Sequence, residues 1–312
     1  MQQRTIFPYL VLLVGVVIAS TAAIMINQAI TLGVHPLTVS AGRVAGAALI
    51  LTPLAWGWKG DELRRIDRRD WLWGFMAGVF LALHFATWIS SLAFTSVASS
   101  TALVTTNPVF VALISWLVFR ERLSWGVWLG VLLTMGGSLL VGFSDGTGGS
   151  GSNPLLGDAL ALLGAMTVTG YFLIGRSVRA RLSIVPYIWL VYSSAGIVLL
   201  AWMLLAGETL LGLPPLAYLL LLGLAIGPQL LGHTAFNWAI KYLSATFVTV
   251  AILGEPIGAT VMAVLLLDQP IQPLQLIGGA VLLVGIAVAT LAERQRPKAA
   301  VEVAEVEAVV AP

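Results

Sequence analysis

The sequence predicts an all-α integral membrane protein with ten transmembrane helices, arranged as two inverted five-helix repeats around a central cavity. Three observations predict this fold. The chain of 312 residues is 59% hydrophobic and only 10% charged, which is more apolar than a soluble domain requires. Ten apolar segments follow one another along it, each near the twenty residues that a helix needs to cross about 30 Å of hydrocarbon. Finally, threading these segments through a membrane places fifteen of the sixteen Lys and Arg residues on one side.

The ten predicted spans are numbered 1 to 10 in chain order. They cover residues 8–30, 36–56, 71–94, 97–118, 124–143, 155–176, 185–206, 215–240, 246–267 and 273–292. Each is separated from the next by a break in the apolar pattern. In order, the breaks are the turn at His35, the charged stretch 59–70, a small-residue turn after residue 94, the loop with Arg120 and Arg122, the Gly/Ser-rich stretch 144–154, the loop with Arg179 and Arg181, the loop with Glu208, the loop with Lys241, and the loop with Asp268.

The distribution of basic residues predicts the orientation. Basic residues resist translocation, so the loops that carry them are expected in the cytoplasm. These residues are Arg4, Lys59, Arg64, Arg65, Arg68, Arg69, Arg120, Arg122, Arg176, Arg179, Arg181, Lys241, Arg294, Arg296 and Lys298. The opposite loops hold only Asp145, Glu208, Asp268 and His35 among ionisable residues. We therefore expect a multi-pass protein of the cell (plasma) membrane with both termini in the cytoplasm.

An internal repeat divides the chain. A shift of 148 residues places Asn107-Pro108 on Glu255-Pro256, Gly130 on Gly278 and Gly137 on Gly285. The shift carries spans 3–5 onto spans 8–10, so each half has five spans and the halves face opposite ways, as in many secondary transporters. The predicted organisation is a first repeat at 8–143, a Gly/Ser linker at 144–154, a second repeat at 155–292 and a disordered cytoplasmic tail at 293–312.

Two segments carry a resemblance to a known family. TTNPVFVALISWLVFRERLSWGVWLGVLLTMGGSLLVG and ILGEPIGATVMAVLLLDQPIQPLQLIGGAVLLVGIAVA, joined by the Gly/Ser linker, resemble the EamA-type members of the drug/metabolite transporter superfamily. The resemblance implies ten helices around a cavity that alternates between the membrane faces, and export of amino acids, related metabolites or drugs. Such proteins carry an acidic residue after both Pro-containing spans. Glu121 matches the first position, and the second reads Asp268-Gln269, a partial departure.

Polar residues inside spans are costly in lipid, so each is expected to face a cavity or a partner. Glu255 lies near mid-depth of span 9, directly before Pro256. Its carboxyl group could carry a proton or meet a cationic substrate, and the alternative is a structural hydrogen bond to a neighbouring helix. Asn107 is its counterpart in the first half and cannot titrate. A site built from both residues would therefore be chemically asymmetric.

Span 8 carries a polar stripe. Gln229, His233 and Asn237 recur every four residues and therefore share one helix face. The stripe predicts a face that lines a water-filled cavity, and the alternative is hydrogen bonding between helices. In span 3, His84 and Trp88 also share a face, which suits a substrate with an apolar or cationic portion. For His84 the alternative is a histidine satisfied by structural hydrogen bonds.

Arg43 is the basic residue that the threading leaves inside a span, between Gly42 and Gly46 of span 2. Arginine stays charged, so it needs an acceptor. It is expected to capture a substrate carboxylate, to pair with Glu255 or backbone carbonyls, or to reach the outer headgroups. Tyr171 of span 6 is a further candidate for the cavity lining. Second-tier candidates are Thr167, Tyr192, Ser20 and Asn27.

Several function classes are disfavoured. The chain has no cysteine, which excludes disulfides and thiolate chemistry. It has no P-loop, no dinucleotide-binding glycine motif and no H-E-x-x-H motif, so we expect neither an enzyme nor an ATP-driven pump, and no cofactor or metal. The basic residues flank spans, which indicates membrane topology and not nucleic-acid binding. An intramembrane enzyme would need Ser20 or Thr167 to pair with His84 or His233.

The resulting hypothesis is a secondary transporter that exports small metabolites such as amino acids, related zwitterions or drugs by alternating access. The expected partners are a small-molecule substrate, the lipid bilayer and protons. The glycines of spans 5 and 10, Gly126, Gly130, Gly278, Gly279 and Gly285, predict close helix packing, either within one chain or at the seam of a homodimer. The alternative function is a membrane sensor or scaffold that binds a ligand without moving it.

Overall fold

A computed structural model describes residues 3–95, 100, 103–118, 120, 123–143, 152–258, 261–262 and 273–294. Within these ranges the chain is helical and contains no strand. Most of the predicted linker, the tail beyond Arg294, the end of span 9, Glu121 and Asp268-Gln269 lie outside the described residues.

Twelve α-helices and one π-helical segment make up the described chain. In order they are α1 Gln3–Ala19, α2 Ala22–Thr31, α3 Pro36–Arg64, α4 Arg68–Ser91, α5 Asn107–Leu117, α6 Trp125–Phe143, α7 Pro154–Arg179, α8 Ile184–Leu205, α9 Pro215–Leu224, the π segment Ala225–His233, α10 Thr234–Ala239, α11 Ala245–Ile252 and α12 Pro273–Arg294. Several starts are fixed by side chains that accept a hydrogen bond from the first turn, such as Asp67 from the Asp70 amide (2.7 Å) and Ser244 from the Phe247 amide (3.1 Å).

In the described part of the chain, six helices are long and apolar enough to cross a membrane: Ile6–Thr31, Pro36–Arg64, Arg68–Ser91, Leu155–Arg179, Ile184–Leu205 and Pro215–Ala239. They match predicted spans 1, 2, 3, 6, 7 and 8. Four shorter apolar helices, Asn107–Leu117, Trp125–Gly137, Ala245–Gly258 and Leu276–Ala289, lie in spans 4, 5, 9 and 10. The structure is therefore that of a multi-pass membrane protein, and the count of ten spans stays a prediction.

Two irregularities interrupt spans that the sequence predicts as continuous helices. Span 1 breaks at Ser20 and Thr21, whose hydroxyls donate to the carbonyls of Val16 (2.7 Å) and Ile18 (2.8 Å). Such hydroxyl-to-backbone bonds compete with the regular helical ladder. Span 8 widens into the π segment around Pro228, because proline has no N–H to continue an α-helical ladder and a wider turn accommodates the loss.

The turns before the two proline-containing segments share one hydrogen bond. In span 4 the amide of Thr106 donates to Leu103 (3.1 Å) immediately before the Asn107-Pro108 pair. In span 9 the amide of Gly254 donates to Ala251 (3.0 Å) immediately before Glu255-Pro256. These bonds are related by the same shift of 148 residues. The two turns therefore match at this position, and the organisation of the chain as two inverted repeats stays a prediction.

Helix packing follows a regular pairing. The most extensive contacts join α6 to α12, α4 to α7 and α3 to α8, and α1 packs against the π segment. In the numbering of the spans these are the pairs 5 and 10, 3 and 6, 2 and 7, and 1 and 8. Each of these contacts joins a helix of the first half to a helix of the second.

Small residues allow α6 and α12 to approach closely. A methyl group added at Gly130 would lie 2.6 Å from Cβ of Ala289, and one at Gly285 would lie 2.6 Å from the amide nitrogen of Thr134. Gly126 faces Ala292 in the same way. These glycines serve packing within one chain, the first of the two alternatives that the sequence left open. A homodimer stays a prediction.

Two adjacent glycines test this interface. A methyl group at Gly137 would lie 2.5 Å from the amide nitrogen of Leu282 and 2.6 Å from the carbonyl oxygen of Gly278, which are backbone atoms that cannot move aside locally. At Gly136 nothing lies within 4 Å of the same added group. We expect Gly137→Ala to destabilise the protein by about 1–3 kcal/mol through overpacking, whereas Gly136→Ala should leave stability unchanged or slightly improved.

The measurement is thermal unfolding of the detergent-solubilised protein, followed by size-exclusion chromatography after heating. Equal midpoints for Gly136→Ala and Gly137→Ala would contradict the assigned packing of α6 on α12.

Candidate functional site

Six of the nine predicted site residues line a single cavity of about 60 Å³. They come from both halves of the chain: Arg43 of α3, His84 and Trp88 of α4, Asn107 at the start of α5, His233 at the end of the π segment, and Glu255 after the break that follows α11. Ala19 and Ala22, on either side of the break in span 1, complete the wall beside Ile252. The volume holds a few water molecules, so the described conformation is a narrow one.

The other three predicted residues lie behind this wall. Gln229 is fully buried and accepts a hydrogen bond from Nε of Arg43 at 2.9 Å. Asn237 donates to the hydroxyl of Tyr171 and to the carbonyl of His233. The stripe on span 8 therefore divides. His233 faces the cavity, while Gln229 and Asn237 join helices to one another, as the alternative reading of the stripe expected.

Arg43 is held from several sides. Its side chain is 1% exposed, so the expectation that it reaches the outer headgroups is wrong. Its guanidinium lies over the ring of Phe85, with Cζ 4.2 Å from the ring centroid, a cation–π contact that helps to offset burial of the charge. The acceptor of its Nε–H is the Gln229 side chain, which is neither of the pairings expected from the sequence.

The two cavity histidines differ in their hydrogen bonding. Nδ1 of His84 lies 3.0 Å from the carbonyl oxygen of Gly164, which fixes Nδ1 as the protonated nitrogen because a carbonyl only accepts. The ring stacks on Trp88 at a centroid distance of 5.8 Å. His233 packs edge-on against Phe85 at 5.3 Å. These rings form an aromatic wall along one side of the cavity.

Buried polar nitrogens without partners point to an occupant of the cavity. Nη1 of Arg43, Nε1 of Trp88 and Nδ1 of His233 have no hydrogen-bond partner among the described residues. All three side chains line the cavity. A buried polar atom left unpaired is costly, so these atoms require water or a ligand. Arg and Trp only donate, which favours a ligand that carries acceptor oxygens.

Glu255 stands on the same cavity without a close cationic partner. Among the described residues no Lys or Arg nitrogen lies within 4.0 Å of its carboxylate. A positive and a negative group therefore line one cavity without forming an ion pair. Asn107, its counterpart after the 148-residue shift, lines the cavity as well and supplies a neutral amide.

The second-tier hydroxyls are satisfied locally. Ser20 donates to Val16 and Thr167 donates to Leu163 at 2.8 Å. His84 in turn is bonded to a backbone carbonyl. The pairing of a hydroxyl with an imidazole that an intramembrane enzyme would need is not formed in the described part of the chain. Nor do three or more His, Asp or Glu side chains come together there as a metal site would require.

Three aromatic residues of the site were missed by the sequence analysis: Phe85 beneath Arg43, and Phe172 and Phe236 in the cavity lining. Phe85 and Phe172 directly follow His84 and Tyr171 in the sequence. The feature of the sequence that could have indicated Phe85 and Phe172 is an aromatic residue next to a polar one within an apolar span. Such pairs are common in membrane helices, so the signal is weak.

A second polar cluster joins the two halves at one end of the helices. We call this the basic end, since it carries Lys59, Arg64, Arg179 and Arg181. Nε of Arg181 lies 2.9 Å from Oδ1 of Asp70, and Nη2 lies 2.5 Å from the same oxygen. These hydrogen bonds raise the pKa of the Arg181 guanidinium. Beside them, Glu62 accepts from the amide (2.8 Å) and the hydroxyl (2.7 Å) of Ser183.

Comparison with known proteins agrees with this architecture. The sequence profile of the EamA-like transporter family matches residues 6–143 and 155–291. The chain is 25% identical over 228 residues to an uncharacterized transporter of Synechocystis sp., covering 73% of this chain and 69% of that protein. It is 24% identical over 227 residues to the uncharacterized transporter YdfC of Bacillus subtilis, covering 72% of this chain and 73% of YdfC.

Two further similarities are more limited. A protein of Pseudomonas fluorescens named as a probable 4-amino-4-deoxy-L-arabinose-phosphoundecaprenol flippase subunit, ArnE, is 34% identical over 86 residues, covering 27% of this chain and 74% of that protein. One solved crystal structure superposes with a TM-score of 0.75 at 19% identity, covering 94% of this chain and all of the other, which shows a shared fold. The chain belongs to the EamA-like transporter family.

Proposed function

We propose that this EamA-like transporter is a secondary transporter that exports small zwitterionic metabolites, such as amino acids, by alternating access. One observation carries the proposal: Arg43 and Glu255 line the same cavity without an ion pair between them in the described structure. A zwitterion would supply both missing partners, because its carboxylate matches Arg43 and its ammonium matches Glu255.

The remaining lining supports a substrate with an apolar portion. Trp88, Phe172 and Phe236 present aromatic surface to the cavity, and such surface binds apolar or cationic groups. Nε1 of Trp88 and Nδ1 of His233 have no hydrogen-bond partner among the described residues, and in this proposal the substrate supplies one. Gln229, Tyr171 and Asn237 act in this proposal as supports behind the wall.

Two inverted five-helix repeats fit the observed packing. The repeat relates each span of the first half to the span five positions later. Under this exchange the pair of spans 3 and 6 becomes the pair 8 and 1. The pair 2 and 7 and the pair 5 and 10 are each exchanged with themselves. All of these pairs are in contact. The family profile also matches twice, once in each half. In transporters of this kind the halves rock around a central site.

The cluster at the basic end supplies the closed gate of such a cycle. Asp70 and Glu62 belong to the first half, and Arg181 and Ser183 belong to the second. Their hydrogen bonds cross between the halves on the side that the charge distribution predicts to be cytoplasmic. Opening the cavity to that side requires these bonds to break. The gate in this proposal is therefore closed in the described conformation.

Transport is tested by uptake into proteoliposomes. The panel contains amino acids, nucleobases and quaternary amines, each with and without a pH gradient. We expect saturable counterflow of amino acids and their accumulation under the gradient. The variant Glu255→Gln should lower gradient-driven accumulation by about tenfold or more, because an amide cannot carry a proton or pair with an ammonium group.

Glu208→Gln is the matched control, since Glu208 lies in the loop between α8 and α9 and should not affect transport. Equilibration that ignores both the pH gradient and Glu255→Gln would make the protein a facilitator without proton coupling. Binding without counterflow or accumulation would instead favour a sensor or scaffold.

The gate is tested by thiol labelling, for which a chain without cysteine offers a clean background. Val104→Cys places one thiol in the cavity lining. Asp70→Asn or Arg181→Gln in this background should raise labelling by a membrane-impermeant maleimide added at the basic end by about three- to tenfold. The reason is that a partly buried, charged hydrogen bond contributes about 1 kcal/mol to the closed state.

The charge exchange Asp70→Arg/Arg181→Asp should restore slow labelling. Asp61→Asn is the control, because Asp61 and Arg64 form an exposed pair at 4.0 Å on the same end. Unchanged labelling in both Asp70 and Arg181 variants would contradict the gate.

A further inference from the structure

We propose that Gln229 is a positioning residue that orients the Arg43 guanidinium and thereby makes the cavity selective for substrates with a carboxylate. The inference rests on the proposed function and concerns a residue that does not line the cavity. Gln229 is 0% exposed and lies in the π segment, 186 positions from Arg43 in the chain. Its influence on a substrate would act through Arg43.

The geometry leaves the guanidinium little freedom. Its Nε–H is bound to Oε1 of Gln229 at 2.9 Å, and one face is covered by Phe85 at 4.2 Å. With one edge and one face occupied, the guanidinium is fixed in orientation. Nη1 has no partner. A carboxylate is recognised best by guanidinium donors held in a fixed plane, and this arrangement holds them before the substrate arrives.

The chemistry of glutamine suits this role better than that of glutamate or leucine. A neutral amide accepts from Arg43 without cancelling its charge, so the charge remains available to a substrate. A glutamate at this position would pair with Arg43 and neutralise it. A leucine would pack without cost but would leave Nε unpaired.

The Gln229 side chain also destabilises the fold in a way that an apolar side chain at the same position would not. Its Nε2 is buried without a partner among the described residues, which destabilises the folded protein. The backbone around it is held separately, by the Tyr192 hydroxyl that donates to the Gln229 carbonyl at 3.3 Å. The amide side chain is therefore not needed to hold the π segment in place. Its bond to Arg43 is what distinguishes it from an apolar residue.

The experiment is isothermal titration calorimetry of the full-length, detergent-solubilised protein with two probes, L-leucine and L-leucinamide. The probes differ only in the carboxylate. At about pH 6.5 both carry an ammonium group, because α-amino groups titrate near 8. We expect the wild type to bind leucine about tenfold or more tightly than the amide, as charged, oriented hydrogen bonds provide.

Two variants test this support of Arg43: one removes the orientation of the guanidinium, and the other keeps the orientation but removes the free charge. Gln229→Leu deletes the acceptor, and Gln229→Glu keeps the shape but neutralises Arg43. Both should reduce the preference for leucine to about twofold or less while the affinity for leucinamide changes by less than about twofold. Because glutamate is nearly isosteric with glutamine, it keeps the test usable if the leucine variant does not fold. Thr52→Ala is the matched control. Thr52 lies on the same helix as Arg43 and accepts a hydrogen bond from Trp189. Removing this acceptor should leave the full preference for leucine.

A double-mutant cycle separates positioning from general stability. Arg43→Lys keeps the positive charge but has no Nε–H for Gln229 to hold. Combining it with Gln229→Leu should cause no further loss of the leucine preference, since both changes remove the same interaction. Additive losses would overturn the positioning role.

The remaining outcomes are distinct. A wild type that prefers leucine while both Gln229 variants keep that preference overturns this inference and leaves the proposed function intact. A wild type that binds neither probe, or binds both equally, overturns the assignment of Arg43 to a carboxylate, and both the inference and the proposed substrate class fail with it.

Discussion

The charge of Arg43 is the constraint on which the rest of the site depends. Arginine stays protonated, and a guanidinium buried among membrane helices is stable only when neighbouring groups compensate it. Here the compensation comes from the Gln229 amide and the Phe85 ring. These groups belong to different parts of the chain, the π segment and α4. A single charged side chain in α3 therefore constrains how α4 and the π segment come together.

The backbone is irregular where this compensation is needed. The break in span 1, the π segment and the turn before Glu255 all contribute lining residues to the same cavity. Irregular backbone at membrane depth persists only where protein or a cavity satisfies its polar groups. The closest glycine-mediated interface, between α6 and α12, is formed by regular helices instead. The irregular segments are thus concentrated around the cavity, where they meet lining residues from the regular helices α3 and α4.

The sequence predicts the scaffold and most of the site, because lipid makes polar residues inside apolar runs rare enough to notice. Arg43, His84, Asn107 and Glu255 could be singled out in this way. It could not separate Gln229 from His233, since both lie on one polar stripe and only tertiary packing decides which one meets Arg43. Nor could it find Phe85, because an aromatic residue beside a polar one in an apolar span is only a weak signal. The break at Ser20 could not be predicted either. It depends on which backbone carbonyl accepts the hydrogen bond of the Ser20 hydroxyl, and the local alternatives are nearly equal in energy.

Two turns related by the 148-residue shift share a backbone hydrogen bond but lead into side chains of different chemistry. One turn precedes Asn107 and the other precedes Glu255, and both of these residues line the cavity. An amide keeps one charge state, whereas a carboxyl group has two. Under an alternating cycle, only Glu255 of this pair would then change its charge with the proton concentration of the side to which the cavity opens. Structural symmetry would allow the two halves to exchange conformations as the cavity opens to one side and then to the other. The difference between Asn107 and Glu255 would make the free energy of each conformation depend on whether a proton or an ammonium group is bound at Glu255.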